Sequence, residues 1–182
     1  MRVRPRLWIL LALLVIAAAS GLLARFGRPV EPEPVPLAAD SSGAGLRAAT
    51  LWFASPQGDG LTAEPRELPE QSELHARVGT LVAALEQGPR EAGVRTLPPG
   101  TTLLHAYLDD AGLLTLDLSR PFRQGFNGGA RAEELVLGSL VRTLSANVPE
   151  AKRIRIVCAG APLRSLGGHF PLDQPLDPED WP

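Results

Sequence analysis

A chain of 182 residues with 45% apolar residues, 18 glycines and 18 prolines has the makeup of a turn-rich globular domain, not of a disordered chain. Five arginines precede residue 29, while residues 29–182 hold 13 basic and 20 acidic groups, a net charge of −7; an acidic domain without a Lys/Arg stripe lacks the electrostatic footprint of a nucleic-acid binder. Cys158 is the single cysteine, which excludes an intrachain disulfide or a multi-thiolate zinc site, and aromatics at 5% make the expected core aliphatic.

The first element in chain order is the uncharged run 7–24 (LWILLALLVIAAASGLLA), about the minimum length for a helix to cross a bilayer core of roughly 30 Å. Arg2, Arg4 and Arg6 before it place the N-terminus in the cytoplasm by the positive-inside bias, and the rest of the chain outside, in the periplasm or at the cell exterior. Residues 1–28 are therefore read as a cytoplasmic N-terminus and an uncleaved signal anchor. A cleaved signal peptide competes, because Ala17-Ala18-Ala19 offers the small residues a signal peptidase needs; apolar character continuing through Leu22, Leu23 and Ala24 favours the anchor. Ala19-Ser20-Gly21 looks like a lipobox, but Leu22 stands where the lipid-accepting cysteine would be, which excludes lipidation. Residues 29–47 alternate proline and glutamate and then turn to small polar residues, the composition of a spacer.

Residues 49–54 (ATLWFA) are strand formers ended by the turn signal Ser-Pro-Gln-Gly-Asp-Gly, and 61–68 reads as a returning strand that Pro65 confines to an edge. Leu74, Val78, Leu81, Val82 and Leu85 share one helical face, which Gly88-Pro89 stops. Residues 102–109 and 113–118 read as a hairpin closed by Asp110-Ala111-Gly112, so that Leu104 faces Leu118, Ala106 faces Leu116 and Leu108 faces Leu114 toward the helices. His105 with Asp117 and Tyr107 with Thr115 then fall on the opposite face. A second helix is expected over 133–148, a strand over 153–158 that places Cys158 in the core, and a short return over 163–166. Gly79 and Gly138 inside the helices imply close approach to a neighbouring element. Layer arguments make this an α/β (α+β) two-layer sandwich, with two helices covering one face of a mixed or antiparallel sheet.

The ordered set LWFASPQG (51–58), LVAALEQGP (81–89), LPPGT (97–101), LLTLDLSRPF (113–122), AEELVLGSLVRTL (132–144) and IRIVCAGAPLRSLGGH (154–169) resembles the GerMN domain of bacterial sporulation and germination proteins, over roughly 48–175, with 176–182 as a tail. The resemblance implies an extracytoplasmic domain used in assembly of the cell envelope or of a forespore membrane complex, with protein partners and no catalytic residues. Two departures are the missing lipobox cysteine and the pair Cys158-Ala159, where the family commonly has a small apolar residue and Asp.

His75, His105 and His169 are too scattered in sequence for a ligand pair on one helix or strand, so no metal or cofactor is expected. Ser119, His105 and Asp117 make a paper triad without a nucleophile elbow. Phe126 to Ala130 could hold an anion at a helix start, but Glu133 and Glu134 already occupy the positive end of that dipole. The expected function is that of a non-enzymatic, membrane-anchored module that binds protein partners, with His105, Tyr107, Thr115 and Asp117 as the contact face. The alternatives are a small hydrolase or a ligand-binding domain acting on peptidoglycan; a deep cleft gathering polar groups would favour the first, and an apolar cavity the second.

Overall fold

In the computed structural model, which describes residues 45–181, the strand-forming run at 49–54 extends back to Leu46 and gives β1 (Leu46–Ala54), antiparallel to β2 (Leu61–Pro69). The anchor at 7–24 and most of the spacer lie outside the described residues. Among the described residues no helix is long and apolar enough to cross a membrane. Helix α1 (Leu74–Gln87) buries Val78, Leu81, Val82 and Leu85, the stripe its periodicity predicts, and stops at Gly88. The second hairpin is β3 (Leu103–Leu108) and β4 (Leu113–Leu118), followed by α2 (Arg120–Gln124), α3 (Ala130–Asn147), β5 (Arg153–Cys158), β6 (Ala161–Pro162) and a 3-10 turn at Pro178–Asp180.

These strands form two sheets where one was expected. The first hairpin stands alone as β1-β2, and the second sheet runs β3-β4-β5-β6, with β4 parallel to β5 and the other neighbours antiparallel. The reason lies along the free edge of β1, whose outward backbone groups are taken by side chains of α3. Asn147 accepts from the Thr50 N–H (3.1 Å) and donates to its carbonyl (2.8 Å). Thr143 accepts from the Trp52 N–H (3.0 Å), and Ser139 donates to the Trp52 carbonyl (2.6 Å). Ser139, Thr143 and Asn147 are spaced by four, so one helical stripe follows the strand edge. Val94 completes the row through reciprocal bonds with Ala54. From Thr50 to Ala54 the outward backbone groups on that side are therefore engaged, which blocks extension of the sheet there.

Pro65 does sit on an edge strand. The Thr50 N–H points away from β2, so its partner Pro65, which has no N–H, also turns its nitrogen outward, where a ladder donor is not needed. Beside it, Arg66 lies over the Phe53 ring, pairs with Glu64, and donates to the Ala84 (3.3 Å) and Gly88 (3.1 Å) carbonyls. The same Glu64 accepts from the N–H groups of Arg90 (2.9 Å) and Glu91 (3.2 Å). This buried pair thus closes the end of α1 and fixes the loop after it.

The hairpin register agrees with expectation at four pairs, His105 with Asp117, Ala106 with Leu116, Tyr107 with Thr115 and Leu108 with Leu114. Gly112, at φ +83°, supplies the left-handed residue that turn needs, and an added Cβ would lie 2.9 Å from Lys152 Cγ and 3.1 Å from the Glu150 carbonyl oxygen. The expected Leu104–Leu118 pair does not form. Leu103 opposes Leu118 instead, and Leu104 is the extra residue of a bulge, 39% exposed. Three further expectations change. Helix α3 begins at Ala130, three residues before 133; the return after β5 is Ala161–Pro162 in place of 163–166, because Leu163 and Leu166 turn into the core; and α2 is an added element. One face of the larger sheet buries Leu114, Leu116, Leu118, Ile154 and Ile156 in a single core with α1, α3 and the β1-β2 hairpin.

Gly138 fulfils the close-approach expectation, since a Cβ there would meet Leu61 Cδ1 at 3.1 Å and Trp181 at 3.5 Å. Leu176 exchanges bonds with Ile154 (2.9 and 2.7 Å), and Trp181 is buried, so the segment up to Trp181 packs as part of the domain.

Candidate functional site

Alternation along β4 and β5 leaves the second face of the larger sheet outside the core. Tyr107 is 67% exposed there, His105 is exposed, and Thr115 and Asp117 are half-buried. The four residues expected on this face are therefore brought together as two cross-strand pairs. The parallel pairing of β4 with β5 extends each row, Tyr107-Thr115-Arg155 and His105-Asp117-Val157. Arg155 escaped the sequence reading because a hairpin register says nothing about a parallel neighbour. The alternation Arg153-Ile154-Arg155-Ile156 was the signal that could have found it. Beside Thr115 the face dips into a depression of about 380 Å³, bordered by Arg155, Val157, Pro162, Leu172 and Asp173.

The chemistry on this face is modest. Both carboxylate oxygens of Asp117 accept from the Gly160 N–H (3.0 Å each), which fixes the turn after β5. Ser119 accepts from the Thr102 N–H (2.9 Å) and donates to the Gly100 carbonyl (3.3 Å), so its hydroxyl is engaged with backbone. His105 lies beside His75, with ring centroids 6.3 Å apart. The fold thus joins two histidines that sequence spacing separated. Among the described residues, no group of three or more His, Cys, Asp or Glu is placed to hold a metal ion. Cys158 is half-buried, not fully in the core, with its thiol 3.6 Å from the Ser119 carbonyl.

A different carboxylate has the strongest environment. Glu133, fully buried at the start of α3, accepts from the N–H groups of Leu166 (2.9 Å) and His169 (3.0 Å) and meets the His169 ring Nδ1 (3.0 Å). Burial alone would raise its pKa, but the N–H groups of Gly167, His169 and Leu166 and the His169 ring outweigh it and hold the carboxyl below its ordinary value of 4.5. A Cβ on Gly167 would lie 2.9 Å from the carboxylate and 2.6 Å from Phe126, so only glycine lets the loop approach. Glu133 therefore keeps the expected place in the first turn of the helix and also ties the loop at 166–169 to it. Glu134 pairs with Arg131 (2.7 Å) at the surface.

A groove of about 370 Å³ separates the segment 94–99 from the start of α3, with Val94, Leu97, Pro98, Phe126, Leu135 and Val136 among its walls. No His, Cys, Ser, Asp or Glu lines it.

Residues 50–164 match the model of the Germane family, described as "Sporulation and spore germination". A search of curated proteins finds no match. Among solved structures, a protein of Clostridium perfringens provisionally described as a lipoprotein is 25% identical, with a TM-score of 0.53 and coverage of 75% of this chain and 90% of that one. The tandem GerMN domains of the sporulation protein GerM from Bacillus subtilis are 18% identical, with a TM-score of 0.60 and coverage of 75% and 48%. The first GerMN domain of GerM alone is 19% identical, with a TM-score of 0.60 and coverage of 74% and 99%. The last two likenesses concern the fold, and in extent this chain corresponds to one GerMN domain, not two. With the family model spanning most of the domain and the GerMN fold around it, the chain belongs to the Germane, GerMN-like family.

Proposed function

We propose that this protein is a non-catalytic, extracytoplasmic GerMN-like module, tethered by its N-terminal apolar segment, that binds a protein partner in sporulation, germination or envelope maintenance. The observation that carries this reading is the contrast between the two faces of the larger sheet. One buries the apolar residues of β4 and β5, while the other presents Tyr107, His105, Thr115 and Arg155, the last two at the border of a shallow depression. An exposed aromatic beside an arginine is the composition of a protein contact patch. Family membership supports the setting, and the lipoprotein description of the Clostridium relative supports attachment to a membrane, here through the apolar run 7–24, in which Leu22 stands where a lipid-accepting cysteine would be. The hydrolase alternative draws little from the apolar groove, whose lining has no His, Cys, Ser, Asp or Glu and whose one hydroxyl, that of Thr96, is bonded to Ser139 (2.7 Å).

A photoreactive residue placed at Tyr107 or Thr115 of the full chain in native membranes should form adducts with one defined protein, and the same residue at Glu67 on β2 should not. Adducts of equal yield from Glu67 would remove the face from the account. Single alanine replacements of His75, Asp117, Ser119 and His169 should not show the concerted loss of activity typical of a catalytic unit.

A further inference from the structure

Among the described residues, each sheet edge can be followed to what closes it. The edge of β1 from Thr50 to Ala54 is taken by Ser139, Thr143, Asn147 and Val94. On β2, Pro65 and Pro69 stand at outward-facing positions and deny an incoming strand its donors. The edge of β5 is covered by β6 and by Leu176. Past the bulge at Leu104, the edge of β3 has none of these devices. The Asp109 N–H bonds the Leu113 carbonyl, so in an antiparallel ladder the residues alternating with Asp109, namely Tyr107 and His105, also turn their backbone toward β4. Ala106 and Leu108 consequently turn theirs outward, and no protein group in the described residues bonds them. The strand LLHAYL contains no proline and no carboxylate, lysine or arginine, and it holds two of the four large exposed apolar side chains, Leu104 and Tyr107.

We propose that this edge pairs antiparallel with the same edge of a second copy of the chain, about a two-fold axis at Ala106. The strand is self-complementary in that register. Ala106 meets Ala106 of the second copy through reciprocal backbone bonds, and His105 meets Tyr107. A small residue then opposes a small one on the axis and an aromatic opposes an aromatic on the open face, which is the pairing that stabilises a ladder, and the bulge at Leu104 ends the paired stretch on either side. A two-fold interface needs this property, because one patch must fit itself. The joined sheets would run from β6 of one copy to β6 of the other and set the two open faces side by side. The inference rests on the backbone and does not depend on the proposed partner.

The register gives a specific test in the full chain, in membranes. His105 and Tyr107 of the second copy would form a non-hydrogen-bonded pair with Cα atoms about 4.5 Å apart, inside the range for a disulfide. The double variant His105→Cys/Tyr107→Cys should give a disulfide-linked dimer on oxidation, and each single variant, which still contains Cys158, should give about tenfold less. Adding Ala106→Pro removes the outward N–H of both copies without touching the β3-β4 ladder, and should lower the cross-link by about tenfold more. Equal cross-linking by the single variants, no dimer from the double variant, a dimer that survives Ala106→Pro, or linkage to another protein in place of a second copy would each overturn the proposal. Association through the anchor segment alone would show none of this dependence on position.

Discussion

The free edges of β1 and β3 pose the same physical problem, a row of backbone groups with no strand beside them, and the fold treats them in opposite ways. At β1 three polar side chains from α3 replace the missing strand, and those side chains are then unavailable for anything else. At β3 the groups are left outward, next to the face that carries Tyr107 and His105. Polar residues on the first side are structural, each held to the backbone of β1. Residues on the second side contribute little to the core and are free to meet a partner.

That contrast breaks most severely at Glu133. Glu133→Ala leaves the buried N–H groups of the 166–169 loop without an acceptor and should destabilise the domain by about 3 kcal/mol, measured by denaturant unfolding. Because its folded pKa is depressed, the contribution of Glu133 is fully present above the ordinary value of 4.5 and is lost as pH falls through the lower folded value. Glu64 and Glu150 shift in the same direction. For Glu64, burial is outweighed by Arg66 and two backbone N–H groups; for Glu150, its own backbone N–H leads, helped by Arg77. Stability should therefore hold level above about pH 5 and fall at lower pH, with a shallower fall in Glu133→Gln. An unchanged acid slope in that variant would mean that the carboxylate is not the clamp.

A smaller effect is expected at the β1 edge. Thr143→Val keeps the shape but removes the acceptor of the Trp52 N–H, and should cost about 1–2 kcal/mol, while Thr143→Ser should cost less. If Val were tolerated as well as Ser, the stripe on α3 would not be holding the edge. The smallest effect belongs to the open side, where Tyr107→Ser should move stability by less than about 0.5 kcal/mol.

Much of this was legible locally. The stripe on α1, the limits of β5 and four pairs of the second hairpin follow from periodicity and from a three-residue turn ending in Gly112, and so the four face residues were found together. The bulge at Leu104 was not, since alternation cannot reveal an inserted residue until the partner strand is in place. Helix α2 was missed although Ser119 followed by Arg120-Pro121 is a helix start, because five residues carry no period. Ser139, Thr143 and Asn147 read as ordinary polar positions on a helix, since their partner strand lies about ninety residues away. Separations of 40 residues between β4 and β5 and of 33 to 36 between Glu133 and its loop hid those contacts as well. Apart from the short α2 and the bulge, what escaped was a long-range contact; what was read correctly closed over a few residues.

Amide hydrogen exchange, read residue by residue, tests the contrast between the edges most directly. The amides of Thr50, Trp52 and Ala54 should exchange slowly at every protein concentration, because their acceptors lie within the same chain. Those of Ala106 and Leu108 should exchange fast in dilute protein and become protected as concentration rises. Protection of Ala106 and Leu108 equal to that of Trp52 in dilute protein, or fast exchange at Thr50 and Trp52, would contradict the account.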